Sequence, residues 1–297
     1  MSKSYYILVA SAVLLSVSIH SICRAGIINV SVSVAPQKFF VERIGGDYVN
    51  VQVMLPEDAS PATYEPSPRQ LANLENSKIY IKVGHPNFIF EDKLFKRIKQ
   101  GNTCMKVVNM SDGLHYIEMK AQHHHEHESH HEGRDTSDPH VWVAPYTVKI
   151  AAGTICAALC EMESAHSAEF IKNKNTFIKE IDILDKEIQD ILKGVTQRKF
   201  MVYHPAWGYF AAQYGLIQIA IETGGKEPSP LELTELIKKA QEENIKVIFV
   251  QEGFPKDRAS IIAKEIKGSV VEINPLEYNW IENIRKISKI FKSALTQ

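Results

Sequence analysis

The chain has 297 residues, of which 44 % are hydrophobic and 23 % charged, and its formal net charge is −1. That length supports one large domain or two medium ones, each with a buried core. The near-neutral balance excludes the basic surface that phosphate backbones demand, so no nucleic-acid partner is expected.

The first residues read as an address rather than as fold. Lys3 precedes an apolar stretch over residues 5–19, and Cys23 and Ala25 place small residues at −3 and −1 before Gly26. A charged start, a short apolar segment and a small-residue exit predict a secretory signal peptide over residues 1–25 and a periplasmic destination. The stretch is shorter than the ~20 residues of a spanning helix, so no membrane insertion is expected after cleavage. Lipid anchoring at Cys23 is less favoured, because His20 and Ile22 fit that signal poorly. Cys104, Cys156 and Cys160 then remain, an odd number for an oxidising compartment. Cys156 and Cys160 lie four apart on a predicted helix and read as core thiols, with a bridge to Cys104 the alternative.

From residue 28 the pattern alternates between two periods. Residues 28–34 alternate apolar and polar, a helical pattern ends at Gly45-Gly46, and residues 49–55 alternate again. Helices are predicted over 68–74 and 88–100, and strands over 78–83 and 106–110. Residues 145–161 are helical. A long amphipathic helix follows over about 165–193, with Phe177, Ile181, Leu184, Ile188 and Ile191 on one stripe and Gly194 at its C-terminal cap. Beyond it, strands at 199–203, 216–221, 246–250 and 270–273 alternate with helices at 207–214, 230–242, 256–266 and 280–294. Strands alternating with helices imply βαβ units. The expected fold is α/β: two lobes, each with a mainly parallel sheet flanked by helices, joined by one long backbone helix. The expected division is an N-terminal lobe over 26–164, a linking helix over 165–194 and a C-terminal lobe over 195–297.

Inside the first lobe lies a His-rich loop, residues 121–137. It holds His123, His124, His125, His127, His130 and His131, six of the twelve histidines, interleaved with Glu126 and Glu128. Imidazole beside carboxylate is ligand chemistry for Zn²⁺ and similar ions, and such tracts usually collect metal without forming a structured site. Isolated polar residues elsewhere fall at predicted element ends: His85 in Gly84-His85-Pro86, His140 in Asp138-Pro139-His140, His204 in His204-Pro205, Glu252 after residues 246–250, and Asn274 before Pro275. A sheet of this class presents such groups to its ligand crevice. Three imidazoles with one carboxylate suit a tetrahedral Zn²⁺ site, whereas Mn²⁺ sites are richer in oxygen.

The motifs Asp138-Pro139-His140-Val141-Trp142, His204-Pro205-Ala206-Trp207-Gly208-Tyr209-Phe210 and Lys226-Glu227-Pro228-Ser229-Pro230 resemble signatures of the zinc/manganese substrate-binding proteins of ABC importers. Ser60-Pro61-Ala62-Thr63-Tyr64-Glu65-Pro66 and Ile273-Asn274-Pro275-Leu276 resemble the same family, and the likeness spans the chain from residue 26 onward. It implies a monomeric extracytoplasmic binding protein that captures Zn²⁺ between two lobes and delivers it to a permease and its ATPase, with Mn²⁺ or Fe²⁺ the less favoured cargo. It also implies only a small tilt between lobes joined by a rigid helix. Two positions depart from the pattern: Ala62 stands where the family carries its first histidine ligand, and Asn274 where it commonly carries an Asp. The expected site is therefore His85, His140, His204 and Glu252, with Asn274, Glu65 or Tyr64 as a fourth ligand or nearby support. Two other classes stay open on sequence alone. One is a secreted zinc hydrolase, for which no His-x-x-x-His helix motif is present at the candidate residues; the other is a metal-sequestering adhesin.

Overall fold

The alternation at residues 28–34 forms strand β1 (Ile28–Val32), followed by α1 (Ala35–Gly45), β2 (Val49–Val53), α2 (Pro68–Glu75), β3 (Ile79–Lys82), α3 (Ile89–Ile98) and β4 (Lys106–Asn109). The structure, a computed structural model, describes residues 26–61, 63–98, 104–119, 137–222, 226–252 and 256–296. The signal-like segment, Ala62 and the histidines of the 121–137 tract lie outside them. The four strands form one parallel sheet in the order β2-β1-β3-β4.

After α4 (Pro145–Met162) and α5 (Ser167–Leu192) the rhythm resumes with β5 (Lys199–Val202), α6 (Gly208–Gln213), β6 (Ile217–Ala220), α7 (Pro230–Glu242), β7 (Val247–Gln251), α8 (Asp257–Glu265), β8 (Ser269–Ile273) and α9 (Trp280–Ala294). These strands form a second parallel sheet in the order β6-β5-β7-β8, the same order as the first. In each sheet the chain steps to one side of its first strand and then crosses to the other. That reversal opens a ligand crevice at the carboxyl ends of the strands beside β1 and β5.

The halves share local chemistry too. Ser67-Pro68 starts α2 and Ser229-Pro230 starts α7. Each serine Oγ accepts the N–H three residues on, and the side chains of Gln70 and Glu232 accept the serine N–H at 2.9 and 2.7 Å. Proline at the first helical position loses a donor that would have no partner there anyway.

Helix α5 has 26 residues, roughly 39 Å at ~1.5 Å each, and a single 3-10 turn (Ser164–His166) precedes it. Its buried stripe is Phe170, Phe177, Ile181, Leu184, Ile188 and Leu192; Ile191, expected on that stripe, is only half-buried. The helix packs on α1 and α4 from the first half and on α9 from the second. It stops before Gly194, whose φ of +74° is the left-handed conformation that glycine adopts without strain. One hydrophobic core runs from the first sheet through α5 to the second sheet, and a smaller cluster fills the space between β5–β8 and helices α7 and α8.

Trp142, Trp207 and Trp280 are all buried in the core. The Trp142 indole donates to the Pro275 carbonyl at 2.8 Å, and the Trp280 indole to the Trp142 carbonyl at 2.6 Å. The loop after β8 is thereby fastened to the segment before α4, with both buried donors satisfied. Cys156 is buried and Cys160 half-buried on α4, Cys104 is exposed, and no disulfide forms among the described residues. Burial, followed by its neighbour Cys160, pushes the Cys156 thiol up to about 11, which fits an inert core residue. Among the described residues no helix is long and apolar enough to cross a membrane.

Candidate metal centre

Strand register brings the first pair of functional groups together. Val202 of β5 faces Ala220 of β6, and the ladder continues past both strands through Ile221 N–H to Val202 O and Glu222 N–H to Tyr203 O. Two residues beyond Val202 and Ala220 lie His204 and Glu222, and His204 Nδ1 bonds to Glu222 Oε1. Glu222, which the sequence reading did not single out, thereby stands behind a candidate ligand.

His140 arrives from the other side, on the loop that leads into α4. The Asp138 N–H donates to the Ile117 carbonyl at 2.8 Å, and Ser137 bridges to Glu118. Asp138 then folds its side chain forward. Its Oδ1 accepts the His140 N–H at 2.9 Å and the His140 Nδ1–H at 2.7 Å. The Asp-Pro-His spacing itself places a carboxylate on the ring two residues later.

The two rings meet. His140 Nε2 and His204 Nε2 are 3.0 Å apart, with ring planes at 82°. A carboxylate only accepts, so each Nδ1 carries a proton and each ring turns its Nε2 toward the other. Two nitrogens bound to one tetrahedral Zn²⁺ at ~2.0–2.1 Å are separated by roughly 3.3 Å, close to what is seen. Carboxylates behind both imidazoles fix the tautomer and raise ligand basicity, the usual support of a metal-bound histidine. Burial lowers the His140 imidazole below its ordinary value, against the upward pull of Asp138, which favours the unprotonated ring that a metal needs. Asp138 and Glu222 are both buried and bring two carboxylates to the pair, a charge matched to a dication. The His204 side chain keeps 22 % exposure, so the pair is reached from solvent on that side.

The remaining expected residues are placed elsewhere. His85 is buried just past β3; its Nδ1 accepts the Asn87 N–H at 3.0 Å, and its Nε2 bonds to Ser137 Oγ at 2.9 Å. Asn87 Nδ2 also donates to the Ser137 carbonyl at 2.8 Å. Glu252 and Asn274 pair with each other at 3.2 Å, because Gln251 faces Ile273 in the β7–β8 register and the next residues follow suit. Tyr64 donates to Gln70 Oε1 at 2.8 Å, and Glu65 is exposed. Among the described residues, no three His, Cys, Asp or Glu side chains form a group able to hold a metal ion. The structure therefore brings together His140 and His204, and it does not join His85 or Glu252 to them.

Comparison with known proteins identifies the family of this chain. Residues 30–294 match the family model for ZnuA, the periplasmic component A of the zinc-uptake complex. The high-affinity zinc uptake system protein ZnuA of Bacillus subtilis (strain 168) is 27 % identical over 245 residues, which cover 82 % of this chain and 76 % of the relative. A crystal structure of ZnuA superposes with a TM-score of 0.82 at 35 % identity, covering 90 % of this chain and 98 % of that one. A ZnuA deletion mutant with zinc bound gives the same score and identity over 91 % and 98 %. With a family model matched over nearly its whole length and two parallel sheets holding a carboxylate-backed histidine pair, this chain belongs to the family of periplasmic zinc-uptake components.

Proposed function

We propose that the chain captures a Zn²⁺ ion at the Nε2 atoms of His140 and His204 and hands it to a membrane permease driven by an ATPase. The carrying observation is the 3.0 Å approach of two Nε2 atoms whose Nδ1 atoms are both held by carboxylates. Imidazole donors favour Zn²⁺ over Mn²⁺ or Fe²⁺, which take more oxygen ligands. The zinc-named relatives support the same cargo. Residues 1–25 direct export to the periplasm, and residues 121–137 supply weak auxiliary binding. In this reading His85 acts as a clamp on Ser137, one residue before Asp138, rather than as a direct ligand.

The test is a zinc titration against a competing chelator, using chain that begins at Gly26. One tight equivalent per chain is expected, and it should survive deletion of residues 122–133 while weaker equivalents disappear. Loss of the tight equivalent on deletion would make the tract the primary binder and overturn the assignment.

His85→Ala separates clamp from ligand. The variant leaves Ser137 Oγ and the Asn87 N–H without their imidazole partner, so the metal-free protein should lose about 1–3 kcal/mol in urea unfolding. Zinc affinity should fall by less than about tenfold, below what loss of a direct ligand produces. A drop beyond a hundredfold with unchanged stability would return His85 to the coordination shell.

A further inference from the structure

Asp138 carries an unusual burden. Its Oδ1 serves the His140 N–H and Nδ1–H together, while Oδ2 is buried with no hydrogen-bond partner among the described residues. A buried carboxylate oxygen is normally claimed by a donor. What lies against this one is Gly208, the first residue of α6 and four residues after His204. A Cβ built on Gly208 would sit 2.2 Å from Asp138 Oδ2, 3.4 Å from its Cγ and 3.3 Å from Ile117 Cδ1. The next residue, Tyr209, donates its hydroxyl to the Asp138 carbonyl at 3.0 Å. Gly208 does not have a positive φ, so its backbone accepts any L residue. Contact with Asp138 is the main constraint on this position, since the Ile117 methyl can swing aside.

We infer that Gly208 is a positioning residue for the metal centre: its missing side chain lets α6 close on Asp138 and keeps Oδ1 on the His140 ring. The segment that carries His204 thereby sets the orientation of His140, from the opposite side of the pair. A methyl group at position 208 cannot coexist with the present Asp138 rotamer. The carboxylate rotates, His140 Nδ1 loses its acceptor, and the ring is released from the geometry that aims Nε2 at His204. This inference rests on reading His140 and His204 as zinc ligands, and it adds a residue that itself touches no metal.

The experiment is a double-mutant cycle on the chain from Gly26, with zinc affinity read by chelator competition and the His140 tautomer read by imidazole ¹⁵N shifts in the metal-free protein. Gly208→Ala is expected to weaken zinc binding about 10–100-fold, the range seen when an outer partner of a ligand is lost. It should also remove the Nδ1–H signature of His140. In an Asp138→Ala background the same change should alter affinity by less than about threefold, because the carboxylate it displaces is gone. A Gly208→Ala protein with affinity within twofold of wild type overturns the inference, as does an equal loss with and without Asp138. Should Gly208→Ala fail to fold, the Asp138→Ala/Gly208→Ala protein compared with Asp138→Ala decides: equal affinity supports the inference, and a further drop refutes it. Wild-type chain that binds no zinc tightly sinks the ligand assignment itself, a distinct result from any of these.

Discussion

His204→Ala is expected to weaken zinc binding by more than about a hundredfold, since loss of even an outer-shell partner reaches that range. The fold should register the change less, because the His204 side chain keeps 22 % exposure and its removal opens the buried Glu222 carboxylate to water. His140→Ala should match it in affinity and differ in stability. Its ring is buried against Asp138, whose Oδ1 then keeps only the backbone N–H of residue 140 as donor. A buried acceptor stripped of one partner costs about 1–3 kcal/mol, so the metal-free His140→Ala protein should unfold at lower urea than His204→Ala. Equal affinity losses with unequal stabilities are the signature of two ligands anchored at different depths. Either variant binding zinc within threefold of wild type would remove that residue from the site.

Most of the fold was legible because parallel sheets covered by helices write their periods plainly into the chain. The starts of α7 and α9 fall where periodicity and the Ser-Pro and Trp signals put them. The misses are local and have causes. Strand β1 ends at Val32 rather than 34, because the N–H groups of Ser33 and Val34 both donate to Gln37 Oε1, at 2.9 and 3.0 Å. That side chain turns the backbone into α1 while the apolar alternation runs on. Likewise the α5 stripe closes on Leu192, four residues after Ile188, where a three-residue step had pointed to Ile191.

The site was half legible. Strand-end polar residues flagged His204, Glu252 and Asn274, and the same signal was present at Glu222, just past the strand expected over 216–221. Which strand ends share a site depends on which strands are neighbours, and sequence does not state the order. Strand β5 lies between β6 and β7, and register decides the rest: Glu222 stands two residues past Ala220, level with His204 past Val202, while Glu252 pairs with Asn274. Asp138 stood inside the quoted motif without a role, since its bond to His140 is a property of a folded turn. His85 is a candidate ligand because it follows a strand. Its ring faces Ser137, the residue at which the chain re-enters the fold after the His-rich tract.

A pH dependence of the metal-free protein is expected from Glu91 on α3. Its side chain is 1 % exposed, and it accepts hydrogen bonds from Ser33 Oγ, from the Val83 N–H and from the Gly84 N–H at 3.0 Å, with Lys82 Nζ 3.9 Å away. Burial pushes the carboxyl up from 4.5 to about 7, against the pull of these donors and the lysine. Between those two values the native chain holds a proton that the unfolded chain has released. Stability therefore falls as pH rises through this window. The contribution is fully present below about 4.5 and gone above about 7, a change on the order of 3 kcal/mol at ~1.4 kcal/mol per unit. Other groups titrate too, so the informative quantity is the difference in urea-unfolding free energy between wild type and Glu91→Gln, which cannot ionise. That difference should shrink across the window and stay level on either side of it. A difference that is flat from pH 4 to 8 would mean that the donors offset burial and leave the Glu91 carboxyl where it titrates in the unfolded chain. The consequence reaches the metal centre through a chain of contacts. Glu91 fixes the Val83–Gly84 turn, that turn presents His85, and His85 holds Ser137 at the root of the segment carrying Asp138 and His140.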